Sequence, residues 1–304
     1  MAERGRLAST WLMLRKRPRL LTLIGLGLLA ILVALHLQIT GPSLAQGFDN
    51  LLVILAEAWP PDFSVLTNRA SWANPPCNFE SDVLCSPAVI GLVQTLEIAF
   101  LATLFGMVLS LPLATMAAHN LSPAWLSSAM RSLLAAFRVL PSLIWALLFV
   151  IIVGIGPLAG VLAMTLYTIG YLGKLQYEAL EGVSRQPLEA ARAMGLSRAQ
   201  VARYFAIPEA SNSLLSQLLF MFEYNVRHGS VVGLVGAGGI GWYMQYYLAP
   251  FRLYDRVLAL LIVLYVTVVI IDAVSLRLRR RFIESDEQLR RPTWRGVFLP
   301  WKSD

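Results

Sequence analysis

The chain has 304 residues, of which 57% are hydrophobic and only 14% charged. A soluble domain carries nearer a quarter charged residues, so this is a membrane-integral composition with no polar block long enough for a soluble domain of ordinary size. The net charge of +7 does not indicate a nucleic-acid binder, because the basic residues lie in flanks and loops and are not interleaved with stacking aromatics.

A membrane-crossing helix needs about 20 mostly apolar residues, and six segments qualify in chain order. A basic N-terminal segment, 1–19, carries Arg4, Arg6, Arg15, Lys16, Arg17 and Arg19. The first span, 20–39, is interrupted only by His36, and its apolar run is longer than the roughly 7–15 residues of a cleaved signal, which argues for a retained anchor. Residues 40–87 form an outer segment with Trp59-Pro60-Pro61, Trp72 and Pro75-Pro76. Within it, 47–58 reads as an interfacial helix presenting Leu51, Leu52, Ile54 and Leu55 to headgroups. Cys77 and Cys85 lie in the same segment; an oxidising exterior suits a short-loop disulfide, and two unpaired thiols are the alternative. With no histidine nearby they do not make a zinc site.

The membrane core, 88–276, holds five further spans: 88–114, 130–154, 157–180, 208–229 and 257–276, the last interrupted by Asp272. Leu140-Pro141 should kink or break the third span of the chain, since proline removes a donor and clashes with the preceding turn. Gly154-Ile155-Gly156-Pro157 predicts a tight hairpin turn to the fourth. A basic tail, 277–304, contains Arg277, Arg279, Arg280, Arg281, Arg290, Arg291, Arg295 and Lys302. With both termini cytoplasmic, twenty-one basic residues fall inside, among them Arg131, Arg138, Lys174, Arg185, Arg192, Arg198 and Arg203. Only Arg69, Arg227, Arg252 and Arg256 fall outside. That asymmetry sets the orientation and puts the loop after residue 180 in the cytoplasm.

In that loop Pro187 suits the first turn of a short helix, and Leu188 through Met194 continue it for two turns. Gly195 is free to adopt the left-handed conformation that ends it. Ser197-x-x-Gln200 fits a capping box that opens a second short helix, on which Val201 and Phe205 share a face and Arg198 and Arg203 stay wet. Pro208 is expected to end this helix and launch the fifth span. Glu189-Ala190-Ala191-x-x-x-Gly195, followed by Phe205, Ile207 and Pro208, resembles the coupling loop of binding-protein-dependent ABC importer permeases, with Phe205 and Ile207 where Ile and Leu are usual. The resemblance implies that 187–207 sits in a groove of a separate ATPase, with Glu189 as its polar anchor and Gly195 permitting the turn.

Gly236-Ala237-Gly238-Gly239-Ile240-Gly241, with Asp255 about 20 residues on, matches a dinucleotide fingerprint. The fingerprint must follow a strand and open a helix in a βαβ unit; here a membrane span precedes it and the aromatic cluster Trp242 to Tyr247 follows. The longer string from Phe222-Glu223-Tyr224-Asn225-Val226-Arg227 through Val231-Val232-Gly233 to Gly241 is similar to phosphonate importer permeases, as are Trp59-Pro60-Pro61-Asp62-Phe63 and the Gly154–Pro157 hairpin. This likeness covers about 55–282. Methionine-importer permeases share the glycine-rich part. Glycines at this density permit close backbone approach and positive φ, which suits either a broken, gate-like element beside the translocation route or a helix-packing surface. Glu223, Asn225, Arg227, Gly236, Gly238, Gly239 and Gly241 are therefore the candidate path or gate residues. Arg227 is expected near the outer end of its span, where it meets an oxyanion or pairs with Glu223 one turn earlier. Glu97 and Arg138 read as intrasubunit or interfacial partners, and His228 carries no assigned role.

No phosphate loop is present (Gly173-Lys174 lacks the upstream glycine), and neither a nucleophile–base pair nor a metal centre can be assembled, so no catalytic or metal residues are expected. The resemblance implies an all-α membrane protein with a type I, methionine-importer-permease-like core, in a bacterial inner membrane with both termini cytoplasmic. Its implied cargo is a phosphonate, phosphite or related phosphorus oxyanion. The implied partners are two ATPase subunits that hold the ATP and Mg, a periplasmic or lipid-anchored binding protein, a second permease copy forming a homodimer, and the bilayer. No cofactor is expected in this chain. The alternatives are an ABC permease for methionine, phosphate or another small solute, a secondary transporter, and a membrane oxidoreductase using the glycine cluster.

Overall fold

A computed structural model describes residues 18–70 and 76–282. The basic segment up to Arg17, Trp72, Pro75 and the tail beyond Phe282 lie outside the described residues. The described residues form helices joined by turns and loops, with no strand among them. The chain divides into a unit through Trp59 and a second from Pro60 onward.

In the first unit α1 (Pro18–His36) and α2 (Gly41–Ala58) meet at Thr40, where Ser43 and Thr40 form a reciprocal cap. Residues 25–36 and 41–58 are bent by 69°. The second helix thus starts six residues before the expected interfacial segment, because the Thr40/Ser43 cap and Pro42 supply an N-terminus that hydropathy alone does not reveal.

The second unit is built on two helices, α3 (Pro87–Ala117) and α6 (Pro157–Glu181), which run side by side in the same direction. Their contact face is lined by small and polar residues: Ala102, Gly106 and Ser110 of α3 meet Ala163, Thr168 and Gln176 of α6, while Gly173 of α6 packs on Leu134. A Cβ on Gly106 would lie 2.2 Å from Thr168 Cγ2, so the glycine sets the close approach. Ser110 Oγ donates to Gln176 Oε1 at 2.9 Å across the pair. Between them run α4 (Ala124–Val139) and α5 (Ser142–Val153), bent by 80° at Leu140-Pro141. Trp145 Nε1 donates to Phe137 O across that bend at 3.0 Å. Gly154 and Gly156 take φ of +91° and +148° in the following turn, and Pro157 starts α6.

After α6 come the short helices α7 (Arg185–Ala193) and α8 (Arg198–Val201), a π-turn over Ala202–Ala206, α9 (Ile207–Glu209) and α10 (Ser211–Gly233). α11 (Ile240–Leu248) and the 29-residue α12 (Tyr254–Phe282) close the fold. Among the described residues, three helices (α3, α6 and α12) are long and apolar enough to cross a membrane, and counting each bent pair as one span gives five. The expected fifth span of the chain, α10, is not among them. Asn212, Gln217, Glu223, Asn225 and Arg227 dilute its hydropathy, and its burial comes from protein contacts to α3, α6 and α12 rather than lipid.

Candidate functional site

The sequence-predicted coupling loop is a compact hairpin of two short helices. On α7, Leu188 and Ala191 are buried in a core shared with Leu134, Leu180, Val201 and Leu214, while Glu189 and Ala190 face outward. Met194 ends the helix, and Gly195 turns the chain with φ of +83°. Its N–H donates to Arg192 O at 2.9 Å. Nothing lies within 4 Å of a Cβ built there, so only backbone conformation calls for glycine. Ser197 and Gln200 then cap each other reciprocally, with Ser197 N–H donating to Gln200 Oε1 at 2.9 Å. Val201 is fully buried and Phe205 packs on the same core, while Arg198 and Arg203 are exposed.

Pro208 does not end the helical run. The π-turn lets Ile207 N–H bond to Ala202 O, five residues back, and this register shift accommodates a residue with no N–H of its own before α10 continues. The expected helix break is thus replaced by a widened turn over Ala202–Ala206.

A polar cluster that sequence reading missed sits behind this hairpin. Glu181, the last residue of α6, accepts from the His119 N–H at 2.6 Å and from the Arg131 guanidinium. Arg131 Nε also donates to Ala117 O at 2.9 Å, and its guanidinium lies 4.4 Å from the Tyr177 ring centroid. Asn120 Nδ2 donates to Leu180 O at 2.8 Å, and Arg192 of α7 donates to Asn120 O. Beside these groups lies a cavity of about 460 Å³ bordered by Arg185 and Glu189. The one available signal was a glutamate closing a span directly ahead of the loop.

The glycine-rich segment joins α10 to α11 as a turn, with Gly236, Gly238 and Gly239 at φ of +93°, +81° and +75°. It is wedged into the protein. Gly156 N–H donates to Gly236 O at 2.9 Å, Gly239 N–H to Gln94 Oε1 at 3.2 Å, and Ile240 N–H to Thr95 Oγ1 at 2.9 Å. A Cβ on Gly241 would fall 1.8 Å from Ser230 O, and one on Gly233 2.4 Å from Gly238 O. The αβ framework a dinucleotide site requires is missing among the described residues.

The candidate path residues of α10 separate into two kinds. Asn225 is fully buried and donates to Thr103 Oγ1 at 2.9 Å and Thr168 Oγ1 at 3.0 Å, tying α10 to α3 and α6. Glu223 and Arg227 do not pair with each other. Arg279 donates to Glu223 at 2.8 Å, and Arg227 to both Asp272 oxygens at 2.7 Å. Both partners lie on α12, toward its basic end. The antiparallel packing of α10 on α12 brings acid and base into register and supersedes the one-turn spacing. Beside them is a largely half-buried stack of rings: Tyr167 and Tyr171 of α6 against Phe220, Tyr224 and His228 of α10. Tyr224 and His228 have centroids 3.7 Å apart, and the Tyr167 and Tyr224 hydroxyls are 2.9 Å apart. Glu97 and Arg138 make no ion pair among the described residues.

In the segment before α3, Cys77 and Cys85 form a disulfide. Arg69 binds Cys77 O at 3.1 Å and Asp82 at 3.5 Å. Asp62 caps the 3-10 turn Phe63–Leu66. The Ser64 hydroxyl and N–H, with Arg256 Nε at 3.0 Å, hold its carboxyl below the usual range against the opposing effect of burial.

Residues 110–284 match the family described as binding-protein-dependent transport system inner membrane component. The phosphite transport system permease protein PtxC of Stutzerimonas stutzeri is 36% identical over 241 residues, 79% of this chain and 80% of its own length. HtxC of the same organism, provisionally named for a phosphite transport system permease, is 34% identical over 276 residues, 90% of each chain. Among solved structures, a chain of the MetNI methionine ABC transporter in an inward-facing conformation matches with a TM-score of 0.57 and 25% identity. The match covers 64% of this chain and 95% of that one.

Proposed function

Because the chain belongs to the binding-protein-dependent transport system inner membrane components, we infer that it is the transmembrane permease subunit of an ATP-driven ABC importer for phosphorus oxyanions. The observation that carries this is the likeness, across nine-tenths of both chains, to a protein named for phosphite transport. The subunit is a multi-pass inner-membrane protein that works with an ATPase subunit rather than as an enzyme itself.

The finer reading is as follows. Two identical permease subunits form the path, and a periplasmic or lipid-anchored binding protein delivers phosphite, a phosphonate or a related anion to it. Two ATPase subunits hold ATP and Mg and dock on the α7–α8 hairpin; both termini are cytoplasmic. Three features support the docking assignment: Glu189 is exposed, Gly195 has open space around it, and the hairpin's buried face is continuous with the ends of α4, α6 and α10. Domain closure on ATP then shifts the permease between outward- and inward-facing states, provided the ATPase binds the two with different affinity. The glycine turn and the α10 ring stack border the path.

Uptake into proteoliposomes holding the chain, its ATPase and its binding protein tests this reading, with phosphite, methylphosphonate, phosphate and methionine offered in parallel. ATP-dependent uptake of a phosphorus anion is the expected result. Uptake of methionine alone, or uptake driven by a proton or sodium gradient without ATP, contradicts it.

A further inference from the structure

The coupling helix α7 follows α6 after only three residues, and the two are joined through a group of polar bonds that the family-like loop pattern does not contain. Glu181 closes α6 and uses one carboxylate oxygen, Oε1, to bind both the corner between α3 and α4, through the His119 N–H, and the first half of α4, through Arg131. Arg131 reaches back to Ala117 O, the last residue of α3. Asn120, in the same corner, holds Leu180 O, and its own carbonyl receives Arg192 from α7. Four elements and a corner therefore meet within one directional network. On the other side of α7 the contacts to α8 and α10 are chiefly apolar, through Leu188, Val201, Ala202, Ala206 and Leu214. Apolar surfaces can slide past each other; charge-assisted hydrogen bonds with fixed angles resist it.

We propose that Glu181 is a positioning residue for coupling: it fixes the α3–α4 corner to the end of α6, and α7 grips that same corner through Arg192 and Asn120 O, so that force on α7 moves the central helix pair. This rests on the reading of α7 as the ATPase-docking helix. Glu181 and Arg131 are each 28% exposed, so water screens the pair in part, and its role is to fix orientation rather than to supply stability.

The test uses the full complex of chain, ATPase and binding protein in proteoliposomes, and reads phosphite taken up per ATP hydrolysed. Glu181→Ala removes both bonds; Glu181→Gln keeps a carbonyl acceptor and loses only the charge. The expected result is normal capture of the ATPase by both variants. Uptake per ATP should fall about tenfold for alanine, with glutamine in between. A merely structural role predicts lower yield with the ratio unchanged, and that result overturns the proposal. If the alanine variant does not assemble, Asn120→Cys/Arg192→Cys decides, comparing each preparation before and after a short bismaleimide joins the two positions. Cross-linking should raise its uptake, because it restores the rigid link; a cross-link that blocks uptake shows that α7 moves against the corner, and the proposal fails. Failure of the docking assignment looks different: the unaltered chain would not capture the ATPase at all.

Discussion

Two turns in this chain use glycine for opposite reasons. At Gly195, between α7 and α8, a side chain would meet nothing within 4 Å, and glycine is needed only for its positive φ. Between α10 and α11, Gly233 and Gly241 lie against the backbone of Gly238 and Ser230, and a Cβ has no room. The first turn is an outward-facing joint that can be loaded by a partner; the second is a wedge that holds α10 and α11 against α3 and α6. A substitution in the wedge attacks the fold, whereas one at the joint should spare the fold and attack the assembly.

The largest effect is expected at the wedge. Gly241→Ala forces a carbonyl or a helix to move, and should destabilise the protein by about 3 kcal/mol or prevent its folding; thermal unfolding in detergent measures this. Gly195→Trp breaks the comparison if the two turns are alike. The left-handed backbone costs a non-glycine residue about 1–2 kcal/mol, so unfolding should move little. The indole nevertheless projects where the ATPase would seat, and co-purification of the ATPase should be lost. Opening the Cys77–Cys85 bridge, in the segment before α3, should cost about 2.5 kcal/mol by the chain-entropy account of a loop this short. Limited proteolysis of the preceding segment with and without reductant reads that change.

Milder effects should follow at the charged pairs. Asp272→Asn leaves Arg227 without its carboxylate; both side chains are more than a third exposed, so the single change should cost at most about 1 kcal/mol, less than the Gly241 and disulfide changes. Unfolding midpoints check the order. The smallest is pH-dependent. Asp62 has its carboxyl held low in the folded chain, so it stabilises its turn fully above the unfolded carboxylate value of about 4. That contribution is lost as pH falls through the lowered folded value. Asp62→Asn should flatten this acid dependence of local hydrogen exchange and leave neutral behaviour close to unchanged in slope.

What was legible in the sequence was local. Gly195, the Ser197/Gln200 cap, the break at Leu140-Pro141 and the Gly154–Pro157 turn are each decided within a few residues, by φ, by a side chain reaching three residues, or by a missing N–H. Partnerships were not legible. Glu223 and Arg227 stand one turn apart and suggest a pair, yet their partners come from 56 and 45 residues away on α12, because helix packing sets which charges meet. Glu181 reaches Arg131 across 50 residues in the same way. Pro208 was misread for a related reason: its cost depends on whether the preceding turn can widen, and the π-turn over Ala202–Ala206 is a property of how Val201 and Ala206 seat in the core. The wedge glycines showed their number in the sequence but not which backbone each one faces.

The central claim is that the α7–α8 hairpin transmits ATPase motion to an anion path. The most direct measurement is ATP hydrolysis by the reconstituted complex, with and without binding protein loaded with phosphite, for the unaltered chain and for Glu189→Lys. The account predicts stimulation by the loaded binding protein that is lost in Glu189→Lys, while thermal unfolding of the permease is the same for both. Stimulation that survives the charge reversal contradicts it.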